Sequence, residues 1–341
     1  MVELIKELSI LPGPSGMEDL VRDRIIKEIE GHCDYHIDAL GNLIAFKKGR
    51  QTPKNRTMLA AHMDEVGFII THIEESGLLR FANVGGIDTR VIVGKRLRVG
   101  PNNLLGVIGT KPVHLVKGDE RDKMPDPDSL YIDIGAVNKD DALRHVSPGD
   151  CAMFDSEFVQ FGDGLIKGKA LDDRAGCAIM IKMIKSQLEY DTYFAFNVQE
   201  EVGCRGAVAS AYSIKPDCAI VLEATTAADI AGVASEKEVC CHGDGPVISF
   251  MDKGTVYDRT LYRMAFEVAR EKGIPCQPKR LVAGGNEASA IHKSRAGVRT
   301  LSLSMPCRYL HSPACVLRVS DIDATYQLAA AAAERMCMEQ W

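Results

Sequence analysis

The sequence predicts an α/β protein, a sheet covered by helices on both faces, with a small all-β domain inserted into it. Three observations lead there. Outside the middle of the chain, apolar runs of strand length alternate with stripes at helical spacing. From about Val66 to Lys167 the pattern changes to short β-like segments punctuated by Gly, Pro, Asn and Asp. The composition is that of a globular protein, with 46% hydrophobic and 26% charged residues over 341 positions. It excludes collagen-like, coiled-coil and largely disordered chains.

The elements follow in order. Ser15-Gly-Met-Glu18 has the form of a capping box, and Val21, Ile25 and Ile29 recur every four positions, so a helix is expected from about Met17 to Glu30. Thr57–His62 reads as a buried strand. The inserted region offers Gly67–His72, Leu78–Asn83, Arg96–Val99, Leu104–Gly109, Leu130–Gly135, Cys151–Asp155 and Glu157–Phe161 as strands, with no long amphipathic helix among them. Beyond Gly168, Cys177, Ile181, Ile184 and Leu188 mark a helix, and Thr192–Val198 and Cys218–Leu222 mark strands. Leu261, Met264, Ala265, Val268 and Ala269 form a second helical stripe that Gly273 stops. Arg299–Met305 is a strand, and a last helix begins near Ser320. The division expected is a discontinuous body, 1–65 and 166–341, around an insertion at 66–165.

Charge and cysteine usage narrow the function. Lys+Arg 41 against Asp+Glu 47 gives a net charge of −6, which argues against binding a nucleic-acid backbone. No apolar run approaches the roughly 18 residues of a membrane span. The first residues, with two acids among the first seven, do not read as a signal peptide. The 11 cysteines are odd in number and form no C-x-x-C pair, as expected of reduced thiols in a cytoplasmic protein.

The conspicuous polar residues fall where strands end. His62 and Asp64 follow the first buried strand, Asp172 and Asp173 precede a helix, and Glu200 and Glu201 follow Thr192–Val198. Glu223 ends Cys218–Leu222, and His311 follows Arg299–Met305. Ligands of open α/β sheets bind beyond the carboxyl ends of the strands. Each of these residues alone has a plain structural reading, as a turn, a helix cap or a solvated strand end. Together they bring imidazole and carboxylate to one edge, a donor set suited to two divalent cations that share a carboxylate. Asp64, two residues after His62, can hold the second imidazole nitrogen. Of the neighbours Glu200 and Glu201, one can bind metal while the other stays free as a general base.

Four motifs then resemble the M42 family of metallo-aminopeptidases. They are Ala-Ala-His62-Met-Asp64-Glu-Val-Gly-Phe, Gly168-Lys-Ala-Leu-Asp172-Asp-Arg-Ala-Gly176, Gln199-Glu200-Glu201-Val-Gly-Cys-Arg-Gly206 and Arg308-Tyr-Leu-His311-Ser-Pro313. The resemblance runs from Gly13-Pro-Ser-Gly16 to the final helix. It implies a zinc-exopeptidase-like mixed sheet with a barrel-like lid and assembly insertion. It also implies two divalent ions per subunit (zinc or cobalt, with manganese possible), short peptide substrates and a homododecamer built from dimers. Carried over by motif, Asp172 bridges the ions, Glu201 and His311 complete one site, and His62 and Glu223 the other. Glu200 is then the catalytic base and Asp64 the acid that orients His62.

Two departures stand out. Glu223 occupies a position that is commonly Asp, and Gly284-Gly-Asn286-Glu287-Ala replaces the usual Gly-Gly-Thr-Asp-Ala. Arg205, His242 and the Asn286-Glu287 loop are candidates to line the pocket for the N-terminal residue. The competing readings are a metal-dependent deacylase or carboxypeptidase, an endoglucanase as some family members are labelled, and a catalytically impaired homologue. The single Trp and 6% aromatics offer little for stacking sugars.

Overall fold

The computed structural model describes residues 1–118 and 123–339. The chain opens with helices α1 (Val2–Ile10) and α2 (Asp19–Ile29) and strands β1 (Asp34–Ile37), β2 (Leu43–Lys47) and β3 (Thr57–His62). Next come β4 (Gly67–Ile73), β5 (Leu79–Val84), β6 (Arg96–Val99), β7 (Leu104–Gly109), β8 (Tyr131–Asp133), α3 (Lys139–Leu143) and β9 (Cys151–Phe154). Strands β10 (Val159–Phe161) and β11 (Leu165–Gly168) lead to α4 (Leu171–Lys185), β12 (Thr192–Asn197), α5 (Arg205–Ile214) and β13 (Cys218–Thr226). The rest is β14 (Val247–Ile248), α6 (Arg259–Lys272), β15 (Gln277–Pro278), α7 (Ala288–Ile291), β16 (Arg299–Cys307), β17 (Cys315–Arg318) and α8 (Val319–Met338).

The expected α/β class is found, as an eight-stranded mixed sheet in the order β1-β2-β12-β3-β13-β16-β14-β15. Its centre, β12, β3, β13 and β16, is parallel, so four strands point their carboxyl ends at one edge. Alternation of side chains assigns the two faces. Leu59, Ala61, Phe194, Phe196, Ile220 and Leu222 enter the core shared with α1, α2, α4, α6 and α8. Met58, Ala60, Ala195, Ala219 and Val221 face the smaller core under α5 and α7. Both faces are therefore covered.

The inserted strands β4-β5-β8-β7-β6-β9 close into a barrel, which leaves no open edge. Phe68 fills its interior edge-on to Phe81 and Phe154, with centroids 5.1 and 5.4 Å apart. The expected strand at Glu157–Phe161 forms at Val159–Phe161 but pairs outside the barrel, in a three-stranded sheet with β11 and β17.

Three local expectations need correction. Ser15 does not cap α2, because its hydroxyl is taken by Asp64 and Glu18 is itself the N-cap residue. Leu188 lies beyond the end of α4 and packs on the core from the following loop. Strand β13 runs on to Thr226, so Glu223 sits inside it rather than at its end. Helix α6 ends as read, with Gly273 closing it at φ 66°, and the structure adds its start, where Asp258 accepts from the Thr260 and Leu261 amides. Among the described residues no helix is long and apolar enough to cross a membrane.

Candidate metal centre

The register of the parallel strands sets the site. Ala60 of β3 pairs with Val221 of β13, which carries His62 and Glu223 to the same level at the carboxyl edge. Asn197 of β12 pairs with His62 on the other side, and the chain then turns through Gln199 into Glu200 and Glu201. Asp172 lies in the first turn of α4, and His311 follows β16 on the turn before β17. The five imidazole and carboxylate groups expected at one edge converge there.

They form two triads joined at Asp172. His62 Nε2 lies 3.4 Å from Asp172 Oδ1 and 3.4 Å from Glu223 Oε1. His311 Nε2 lies 3.5 Å from Asp172 Oδ2 and 3.3 Å from Glu201 Oε2. Within each triad the donor atoms all lie within 4.8 Å of one another. A charge-assisted hydrogen bond would draw such pairs to about 2.7–2.9 Å. Ligands on bonds of about 2.0–2.1 Å around a tetrahedral ion instead stand about 3.3–3.4 Å apart, which matches the separations here. His62 Nε2, Asp172 Oδ1 and Glu223 Oε2 are also buried without a hydrogen-bond partner. The site fits two cations sharing Asp172.

Each imidazole is turned by its other nitrogen. His62 Nδ1 lies 3.3 Å from Asp64 Oδ1 and 3.2 Å from the Asp64 carbonyl. His311 Nδ1 lies 2.7 Å from the carbonyl of Gly86, in the loop after β5 of the barrel. With Nδ1 engaged, Nε2 faces the carboxylates. Asp64 has a second task, accepting the Glu200 amide at 2.9 Å on Oδ1 and the Glu201 amide at 3.1 Å on Oδ2.

Burial and crowding set the protonation. Burial lowers His62, but Glu223, Asp172 and Asp64 overcome it and hold the imidazole well above its usual range. For His311, burial is likewise outweighed by Asp172 and Glu201, and the group rises to about 10. Burial pushes Glu201 and Glu223 well up and Glu200 up as well. At Asp172 burial is opposed by His311 and His62, which keep the carboxyl well below the ordinary carboxylate range. Behind the site, burial pushes fully buried Glu287 up to about 8, against the opposing pull of His62 and the hydrogen bond from Asn197 at 2.9 Å.

A cavity of about 180 Å³ opens on the triads, walled by Thr225, Lys279, Gly285, Asn286 and Leu310. Of the residues expected to line a substrate pocket, Asn286 does so, while Arg205 opens on a separate groove beside Tyr212. His242 and Glu287 stand outside the cavity. Asn286 is fixed by Ala288, Tyr257 and Ser302. Sequence reading missed Ser15, Glu18, Gly86 and Asn197, whose partners are distant in the chain. No local pattern marks such pairs.

The family description "M42 glutamyl aminopeptidase" matches residues 41–328. A putative aminopeptidase of Acetivibrio thermocellus is 39% identical over 96% of this chain and 97% of its own. The structure of an aminopeptidase from Desulfurococcus kamchatkensis superposes with a TM-score of 0.93 at 36% identity, covering 98% of this chain and 94% of that one. A Pyrococcus horikoshii TET1 peptidase, described as assembling into a tetrahedron or a large octahedral shell, gives a TM-score of 0.86 at 36% identity over 99% of both chains. The chain belongs to the M42 glutamyl aminopeptidase family, a family of peptide hydrolases.

Proposed function

We propose that the chain is a dinuclear metal-dependent aminopeptidase that removes N-terminal residues from short peptides. The carrying observation is the pair of His-carboxylate triads sharing Asp172, with Glu200 at the same edge. His62 and Glu223 would hold one divalent ion and Glu201 and His311 the other, with Asp172 the carboxylate common to both sets. Such ions, zinc or cobalt with manganese as an alternative, supply Lewis acidity and bring the pKa of water toward neutrality when bound. Glu200 is the general base, and it takes a proton from the attacking water and returns it to the departing amine. Its burial, which raises its affinity for that proton, suits both halves of the task. Asp64 keeps His62 turned and fixes the backbone from which Glu200 projects. The cavity is smaller than the roughly 300 Å³ at which ligand pockets begin, a size that favours one terminal residue over a long segment.

The same reading takes residues 66–165 as a lid and assembly insertion on a catalytic body of 1–65 and 166–341. It assigns the protein to the cytoplasm, where its 11 free cysteines stay reduced, and to a homododecamer built from dimers. Its neighbours' described assemblies support the last point.

The test is activity on a panel of aminoacyl-anilides, measured after stripping metal and again after restoring each ion. Wild-type protein should be inactive when stripped and active with about two ions per chain. N-acetylated substrates should resist; their cleavage would favour a deacylase or carboxypeptidase. Glu200→Gln should keep both ions and lose at least about a hundredfold in turnover, within the range for general-base loss. Near-normal turnover in that variant would remove Glu200 from the mechanism.

A further inference from the structure

The segment between α1 and α2, Gly13-Pro-Ser-Gly-Met-Glu18, supplies no member of either triad, yet it is bonded to the loop after β3 and to the loop after β12 that carries Glu200 and Glu201. Ser15 Oγ donates to Asp64 Oδ2 at 2.6 Å. Glu18 Oε1 accepts the Gly16 amide at 2.7 Å and the Gln199 amide at 3.1 Å. On its other side the segment is bound to the loop after β3. Gly13 donates its amide to Glu65 Oε1 at 3.1 Å, and the Glu65 amide returns to the Gly13 carbonyl at 3.0 Å.

The three successive amides of Gln199, Glu200 and Glu201 are thereby each received by a buried carboxylate, Glu18 for the first and Asp64 for the other two. Glu18 and Asp64 are 5% and 0% exposed. Gln199 has φ 57°, a left-handed conformation that a non-glycine residue keeps only where its surroundings enforce it. That bend aims the two consecutive glutamates in different directions, Glu201 to His311 and Glu200 toward the cavity. A residue that holds it need not touch substrate to govern the reaction, because small displacements of a base cost large factors in rate.

We infer that Ser15 and Glu18 are positioning residues of the hydrolytic reaction: the Gly13–Glu18 segment is a clamp that fixes the Gln199–Glu201 bend and so places the Glu200 carboxylate. The clamp works through Asp64 from one side and through the Gln199 amide from the other. This role rests on Glu200 being the base, as proposed above.

The experiment compares Ser15→Ala, Glu18→Ala, Glu18→Gln and Glu200→Gln as metal-loaded full-length protein. It reads kcat and KM on an unblocked aminoacyl-anilide, metal content per chain, and hydrogen exchange of the 199–201 amides. Glu18→Ala should lower kcat ten- to a hundredfold with KM within about threefold and metal content unchanged. Glu18→Gln retains an oxygen facing the Gln199 amide and should recover most of the loss. Ser15→Ala should lower kcat about three- to tenfold. Exchange at 199–201 should quicken in the two alanine variants and stay slow in Glu18→Gln. Wild-type kcat in both alanine variants, with Glu200→Gln inactive, overturns the clamp alone. Equal losses in Glu18→Ala and Glu18→Gln also overturn it, since they report burial rather than the accepted amide. An active Glu200→Gln overturns the base assignment and the clamp with it. Should Glu18→Ala fail to fold, Ser15→Ala and Glu18→Gln decide the matter.

Discussion

Asp64 and Glu287 are both fully buried carboxyl groups near His62, and their surroundings drive them in opposite directions. Asp64 meets burial with His62, the Ser15 hydroxyl and the Glu200 amide, and it stays below its usual range as an anion. Replacing it with Asn would remove the charge that turns His62 and leave two amides with a weaker acceptor. Asp64→Asn should therefore weaken metal binding about 10- to 100-fold, as loss of an outer-shell partner typically does, read by competition with a chelator. Glu287 has one hydrogen bond, from Asn197, and a second oxygen with no partner. Burial takes it to about 8 in the folded chain, up from the ordinary 4.5 that applies in the unfolded chain. The sign follows from proton binding. Between those values the folded state keeps a proton that the unfolded state has released, so folding loses stability as pH rises from about 4.5 toward 8. Glu287→Gln removes that penalty while keeping an acceptor for Asn197. In chelator-treated protein its Tm should equal wild type near pH 4.5 and exceed it increasingly up to pH 8. A constant offset across that range would show that Glu287 is not the group responsible.

The exits of β3 and β16 were legible because each left a mark within a few residues, whereas that of β13 was read too early, at Glu223. Strand β3 carries an unbroken apolar run, Met58 to Ala61, closed by His62, and β16 alternates Leu301, Leu303 and Met305 with serines before His311, so their placement at one edge needed only the parallel order of the sheet. Helix α6 announced its end through Gly273, while its start is capped by Asp258, which the apolar stripe alone did not mark. Helix α5 did not, because the face it buries is Gly206, Ala207, Ser210, Ala211 and Ile214, too small and too mixed to register as a stripe. The Ser15–Glu18 spacing is that of a helix cap, and nothing local distinguishes a serine that caps from one taken by Asp64 forty-nine positions away. Gly206 shows a further requirement hidden from pattern reading. A Cβ there would lie 2.3 Å from Asn42 Oδ1 and 2.4 Å from the Val198 carbonyl. Buried Asn42 accepts the Val198 amide and donates to the Gly206 carbonyl and to Asp38, so it has no room to move. It draws together the two ends of the loop that carries Glu200 and Glu201. Gly206→Ala should cost about 1–3 kcal/mol by overpacking, measured by urea denaturation, and should lower turnover besides, because the displaced loop bears the base.

The barrel and the α/β body are joined at the chemistry. Gly86 reaches from the barrel to fix His311, and a Cβ on neighbouring Gly85 would come within 3.2 Å of Glu201 Cβ, so the insertion forms one wall of the centre. The insertion also carries exposed apolar side chains. Val113 and Val137 are 77% and 79% exposed, and Leu115 and Met124 about half exposed. An interface between copies would cover such side chains and gain their burial. The homododecamer proposed above gives this surface an occupant. Val113→Asp combined with Leu115→Asp should then shift the native mass from twelve copies of the 37.2 kDa chain to a smaller species. Both positions lie outside the cavity, and Gly86 would remain against His311. Turnover per chain on a single aminoacyl-anilide should therefore change less than about twofold, while mass, read by light scattering, falls severalfold. Unaltered mass would mean that subunits meet through another face. A parallel collapse of turnover would mean that assembly holds the barrel against His311, and the metal content of the variant would then fall as well.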